Sequence, residues 1–229
     1  LIYSSQIAGH TRLYTVESDL SREKLEKMKI IINLMHFNGN PVMGDDFMND
    51  LRYSELQRFL CHNPWFKLDD VMIVSNDKDG DWTDPKYREL KNMAKNVGFR
   101  WHEVNDDTRI IELKEELERK YNFKFEARGP KGEQHTTVIM GGCHLGGCVM
   151  DHPTLGAIQW AKQLYQTEVY IPMCAEYEQP GINGTEKMMK CVEVVYNSVK
   201  KYNDVDIWKG VDLVTDFNLL SIPQKTFDK

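Results

Sequence analysis

Between residues 29 and 215 short apolar runs alternate with amphipathic stretches, an alternation that predicts strands followed by helices. Lys29-Ile30-Ile31-Ile32-Asn33-Leu34-Met35 is dense in β-branched residues and reads as a buried strand. The stretch 39–44 breaks it, and over 45–61 Phe47, Leu51, Leu56, Phe59 and Leu60 recur at helical spacing until His62-Asn63-Pro64 stops them. Val71-Met72-Ile73-Val74 predicts a second strand, ending in a polar turn over 75–83. Pro85 then opens a helix over 85–96 and Gly98 closes it. A third strand over 99–104 and a helix over 108–121, with Ile110, Leu113 and Leu117 on one side, continue the alternation. Phe123-Lys124-Phe125 reads as a short edge strand. Strands are expected over 136–140, 169–173 and 211–215, and helices over 153–166 and 186–202.

Five or six strands separated by helices imply a three-layer α/β fold: a mostly parallel sheet with helices on both faces, because parallel neighbours need helical crossovers. Without Pro/Ser linkers or repeats the whole of 1–229 reads as one domain, with 1–28 as an N-terminal extension that starts at Leu1 and so looks incomplete. In such sheets ligands sit beyond the carboxyl ends of the strands. The loops that matter therefore follow Met35, Val74, Val104, Met140 and Met173.

Charge and composition narrow the partners. With 29 Lys and Arg against 35 Asp and Glu the net charge is -6, which disfavours a nucleic-acid backbone or an anionic membrane as the main partner. No apolar run is long enough for a membrane span. An odd count of 5 cysteines beside 11 methionines fits a reducing, cytoplasmic setting better than a disulfide framework. In that setting Asn183-Gly184-Thr185 is a turn rather than a glycosylation acceptor.

The loop after Met140 is the richest chemically. Gly141-Gly142-Cys143-His144-Leu145-Gly146-Gly147-Cys148-Val149 sets four glycines and two thiols between a strand and a helix. Glycines allow a tight turn and open amides, and a helix start favours a thiolate, so a cysteine here is a candidate nucleophile with amides at Gly147 and Cys148 to hold an oxyanion. The competing reading makes Cys143 and Cys148 small buried hydrophobes and the glycines packing residues.

This stretch resembles the isochorismatase-like cysteine hydrolases, whose signature is an apolar strand, a Gly, five residues, then Cys-Val. Here Gly142 and Cys148 are 148 - 142 = 6 apart and Val149 follows. The resemblance implies Cys148 as nucleophile, a small-molecule substrate of amide type, no cofactor and a tendency to homo-oligomerise. It also exposes departures. The family's Asp at the end of the first strand aligns with Asn33, its third-strand Lys with Arg100 or His102, and its Thr four residues after the Cys with His152. Another base is then needed: His152, sharing a helical face with Cys148, or His144 on the loop. Asp77, after the second strand, is a replacement acid or base, and Cys143, His144, Gly147 and His102 are expected to line the substrate.

Other signals carry less. Cys143, His144, Cys148 and His152 could ligate zinc but match no known knuckle, so no metal is expected. Asp77-Lys78-Asp79-Gly80-Asp81 imitates a calcium loop but finds Lys86 where a Glu is required. Arg128-Gly129-Pro130-Lys131-Gly132 is a surface loop at the wrong end of its strand, and Trp82, Trp101 and Trp160 are packing residues. The expectation is a hydrolase acting through covalent Cys148. The rivals are a catalytically degenerate binding or assembly protein of the same fold, and a doubly wound nucleotide-binding transferase. The transferase lacks a Gly-x-Gly-x-x-Gly after its first strand.

Overall fold

The computed structural model describes residues 2–7, 10–15, 28–38, 46–62, 67–76, 84–129, 136–175, 211–214 and 220. Within the expected extension, β1 (Ile2–Ile7) and β2 (His10–Thr15) pair as an antiparallel hairpin, a two-stranded sheet of their own. The main body follows the predicted alternation: β3 (Lys29–Met35), α1 (Asp46–His62), β4 (Val71–Ser75), α2 (Pro85–Val97), β5 (Arg100–Glu103), α3 (Ile110–Tyr121), β6 (Thr136–Cys143), α4 (Ala157–Lys162), β7 (Gln166–Ala175) and β8 (Val211–Val214). The last six strands form an all-parallel sheet in the order β5-β4-β3-β6-β7-β8. The chain steps outward from β3 to β5, then returns to lay β6 against the other side of β3. The switch point of a doubly wound sheet therefore lies between β3 and β6.

Alternate residues on each strand enter two separate cores, as the two-residue period of a strand requires. Ile31, Met35, Met72, Val74, Val138 and Met140 pack with Ile110, Leu113 and Leu117 of α3 and Ala157, Trp160 and Ala161 of α4. Ile30, Ile32, Leu34, Val71, Ile73 and Ile139 pack with Leu56 and Phe59 of α1 and Tyr87, Leu90 and Ala94 of α2. Helices thus cover both faces, which makes the three layers. The ends of α2 use the predicted signals, Pro85 starting the helix and Gly98 ending it at φ 105°, and Asp84 adds a cap by accepting from the Lys86 amide at 2.8 Å.

Three local expectations need correction. β6 does not stop at Met140 but continues through Gly141 and Gly142 to Cys143. The two glycines serve close strand packing there: a Cβ on Gly142, at φ +130°, would lie 1.8 Å from the Met35 carbonyl oxygen, and one on Gly141 would lie 2.9 Å from Met173 Cβ. The helix expected over 153–166 shrinks to α4, preceded by a one-turn π-helix at Leu145–Val149 and a turn through 153–155. Finally, Phe123 and Phe125 belong to an irregular segment, their rings buried against Trp160 and Tyr165 rather than carried on an edge strand. Trp101 and Trp160 are buried as packing residues. Asp77, Trp82 and the helix expected over 186–202 lie outside the described residues. Among the described residues no helix is long and apolar enough to cross a membrane.

Candidate functional site

A polar cluster stands at the carboxyl edge of the sheet, beside the switch point, and each member is delivered by a different strand end. His36 is the first residue past β3, Asn76 the first past β4, and Asp106 follows β5. Cys148, His152 and Thr154 lie on the segment after β6. The order of the sheet brings the ends of β4, β3 and β6 side by side, so residues far apart in sequence become neighbours.

The contacts form a connected network. The Cys148 thiol lies beside the His36 side chain, close enough for that imidazole to lower its pKa. Asn76 fixes His36 from behind: its Oδ1 accepts the His36 backbone N–H at 2.6 Å, and its Nδ2 lies 3.4 Å from His36 Nε2. The same Asn76 amide donates to Asp106 Oδ1 at 3.0 Å, an oxygen that stands 4.0 Å from His36 Nε2. On the far side Thr154 Oγ1 donates to the Asp106 backbone carbonyl at 2.7 Å and lies 3.0 Å from His152 Nδ1. The His36 and His152 rings meet edge to face, 6.1 Å apart.

Electrostatics at the sulfur follow from these neighbours. Hydrogen bonding to His36 holds the half-buried Cys148 thiol below the ordinary thiol range; the His36 charge and the His144 backbone N–H act the same way, while burial and Asp106 oppose them. The lowering comes chiefly from an imidazole, and Cys148 sits inside a π-helical turn rather than at a helix start. Burial holds His152 below the usual imidazole value, against the pull of Asp106. Chemically the arrangement offers a thiol beside a proton acceptor whose ring is oriented by an amide and a carboxylate.

The residues singled out from sequence divide into two groups. Cys148, His152 and His144 stand at this edge, and Gly147 is exposed on the turn. The Gly147 amide is donated to the His144 carbonyl at 3.1 Å, so it is not open for an oxyanion as expected. His152 is not one helical turn above Cys148, because the chain is not helical at 152–155, and its Nδ1 faces Thr154.

The others lie in the interior. Asn33 is fully buried in the middle of β3, its amide donating to the Leu155 carbonyl at 2.8 Å and touching Met140 Sδ at 3.4 Å. His102 is buried on β5, with Nε2 3.4 Å from Glu116 and its ring against Tyr121. Cys143 sits in the core, its sulfur met by the guanidinium of Arg52. That arginine is itself fully buried, over the rings of Phe37 and Tyr53. Cys143 is thus held apart from the edge, and the four-residue zinc set read from sequence does not converge as a ligand group. Among the described residues the group of potential metal donors is His36, Asp106 and His152, with ligand atoms all within 4.8 Å of one another.

His36, Asn76 and Asp106 were not singled out by sequence reasoning. The signal was present nonetheless, since all three fall in loops following Met35, Val74 and Val104, which the ligand-edge rule had already marked. The chain matches no family model, no curated protein and no solved structure.

Proposed function

We propose that the protein is a cysteine-dependent hydrolase of a small amide-type metabolite, with Cys148 as nucleophile and His36 as the group that carries its proton. The observation supporting this reading is the placement of the Cys148 thiol beside the His36 imidazole, whose ring is in turn backed by Asn76 and Asp106. Spacing like that of the isochorismatase-like hydrolases favours the same sulfur. The base differs in kind and place: it is an imidazole three positions beyond Asn33, the first residue past the strand.

The reaction balances with these groups alone. His36 accepts the thiol proton while the sulfur attacks the carbonyl carbon, and the resulting imidazolium faces the Asp106 carboxylate. The C–N bond then breaks, the leaving amine taking the proton from His36 and the acyl group remaining on Cys148 as a thioester. Water, losing a proton to His36, attacks the thioester to release the acid and restore the thiol. Asn76 and Asp106 are positioning residues, keeping the His36 ring toward the sulfur.

p-Nitrophenyl acetate, an activated acyl donor, tests the reading without knowledge of the natural substrate. The wild-type protein is expected to release a burst of nitrophenolate and carry an acetyl group on Cys148, located by peptide mass spectrometry. Cys148→Ser should abolish the burst, and His36→Gln should slow acylation by roughly 10²–10⁴-fold, the usual worth of a positioned base. A burst that survives in Cys148→Ser overturns the proposal.

A further inference from the structure

We propose that His36, Asp106 and His152 form a binding site for a single divalent transition-metal ion of the zinc class, and that the occupied site withholds His36 from Cys148. The ligand atoms of these three side chains lie within 4.8 Å of one another, and His36 Nε2 and Asp106 Oδ1 are 4.0 Å apart. Donors sharing a zinc ion at about 2.1 Å each stand roughly 3.4 Å apart, so the site must close by up to about 1.4 Å. All three are carried on loops at the strand ends, where movements of that size need no change in the core.

A second feature points to the same ligand. Thr154 Oγ1 gives its proton to the Asp106 carbonyl, so toward His152 it can only accept, which places a proton on His152 Nδ1 and a lone pair on Nε2. A neighbour that fixes the tautomer of a ligating imidazole is the usual outer shell of a metal site. Asn76 does the same for the carboxylate by donating to Asp106 Oδ1. Two imidazoles and one carboxylate suit zinc, cobalt or iron and are a poor match for calcium or magnesium, which prefer oxygen donors.

The consequence for the thiol is direct. A neutral His36 that ligates a cation through one ring nitrogen carries its proton on the other and cannot accept the Cys148 proton. Metal binding and acyl transfer thus compete for one imidazole. This inhibitory consequence rests on the hydrolase reading; the binding site does not.

The full chain, freed of metal by dialysis against a chelator, is titrated with Co²⁺ by visible absorption and with Zn²⁺ by calorimetry. Alkylation of Cys148 by iodoacetamide is followed in parallel by mass spectrometry. One ion per chain is expected, with affinity weakened at least about 10-fold in Thr154→Ala and more in His152→Gln, in line with typical losses when an outer-shell partner or a ligand is removed. Zinc should slow alkylation of Cys148 in the wild type at concentrations that leave His152→Gln unaffected. Circular dichroism establishes that both variants fold, and Thr154→Ala, which removes no ligand, decides the matter if His152→Gln does not. Failure of the wild type to take up either ion, unchanged affinity in both variants, or unchanged alkylation with zinc bound overturns the proposal. The nitrophenyl burst separates the two readings. Zinc binding without any burst from the metal-free protein removes the hydrolase alone, and a burst without zinc binding removes the metal site alone.

Discussion

The interior of the sheet and its carboxyl edge each hold a cysteine and a histidine near a carboxylate, and the two sets stand in different surroundings. Inside, Cys143 lies on β6 against Arg52, and His102 lies on β5 against Glu116 and Tyr121, every one of these side chains held by packed helices or strands. At the edge, Cys148 meets His36 with Asp106 and Asn76 behind it, on loops that reach solvent. Residue type alone does not distinguish the two sets. Position relative to the strand ends does, because a side chain on a strand is committed to one of two cores, whereas one just past the end is free to face a ligand.

Glycines break this comparison most sharply. On Gly142 an added Cβ would fall 1.8 Å from the Met35 carbonyl oxygen at a backbone angle of φ +130°, whereas on Gly147 the nearest atom is His144 Cβ at 3.8 Å. Gly142→Ala is therefore expected to cost at least about 3 kcal/mol, since backbone must move and a strained conformation be kept. Gly147→Ala should stay within about 1 kcal/mol of wild type, with a small gain from helical propensity. Urea unfolding of the two variants measures both. Equal midpoints would show that the segment before Cys143 is a loop after all and that the two cysteines share one environment.

The thiols supply the next test. Cys148 is half-buried and paired with an imidazole, Cys143 and Cys174 are buried, and Cys61 is exposed on α1. At neutral pH iodoacetamide should label Cys148 at least about 100-fold faster than Cys143, because a sealed thiol reacts only after local opening while a half-buried thiol with a lowered pKa is reached directly and ionises more readily. Cys61 gives the rate of an ordinary exposed thiol in the same tube, and Cys148 is expected to exceed it. Labelling of Cys148 no faster than Cys61 would mean that His36 does not activate it.

Much of the scaffold was legible before any coordinates. β3 is legible over its full length because three consecutive isoleucines in a short, mostly apolar run favour a buried strand, and α2 because Pro85 and Gly98 mark both of its ends. The edge of the sheet was legible as a place, not as a set of partners. His36, Asn76 and Asp106 come from three strand ends, and their meeting depends on strand order, which no local pattern encodes. Gly141 and Gly142 misled for a related reason: glycine marks a turn or a close backbone approach equally well, and only the neighbours, Met35 and Met173, decide which. Cys143 and Cys148 were equivalent in sequence until Arg52, on a distant helix, was found against one of them.

The buried imidazole tests the interior half of the comparison through pH, with the smallest expected effect. Burial lowers the His102 pKa from its ordinary 6.5, the effect opposed by Glu116 on α3 and Glu103 on its own strand and reinforced by Lys120; Tyr121 packs on the ring as well. A folded-state value below the unfolded one means that, as the pH falls through 6.5, the unfolded chain takes up a proton that the folded chain does not. Stability contributed at this position is then unaffected above that pH, declines below it, and levels off beneath the folded value. The decline cannot exceed about 1.4 kcal/mol per pH unit, the limit for one proton. His102→Gln, neutral at every pH, removes this dependence, so the stability difference between wild type and variant should move against the wild type on acidification from pH near 7 to near 5, read by urea midpoints at each pH. Movement in the opposite direction would mean that the Glu116 carboxylate outweighs burial and that the interior pair is held as an ion pair. His102 would then resemble His36 beside Asp106, and the distinction between interior and edge would rest on the cysteines alone.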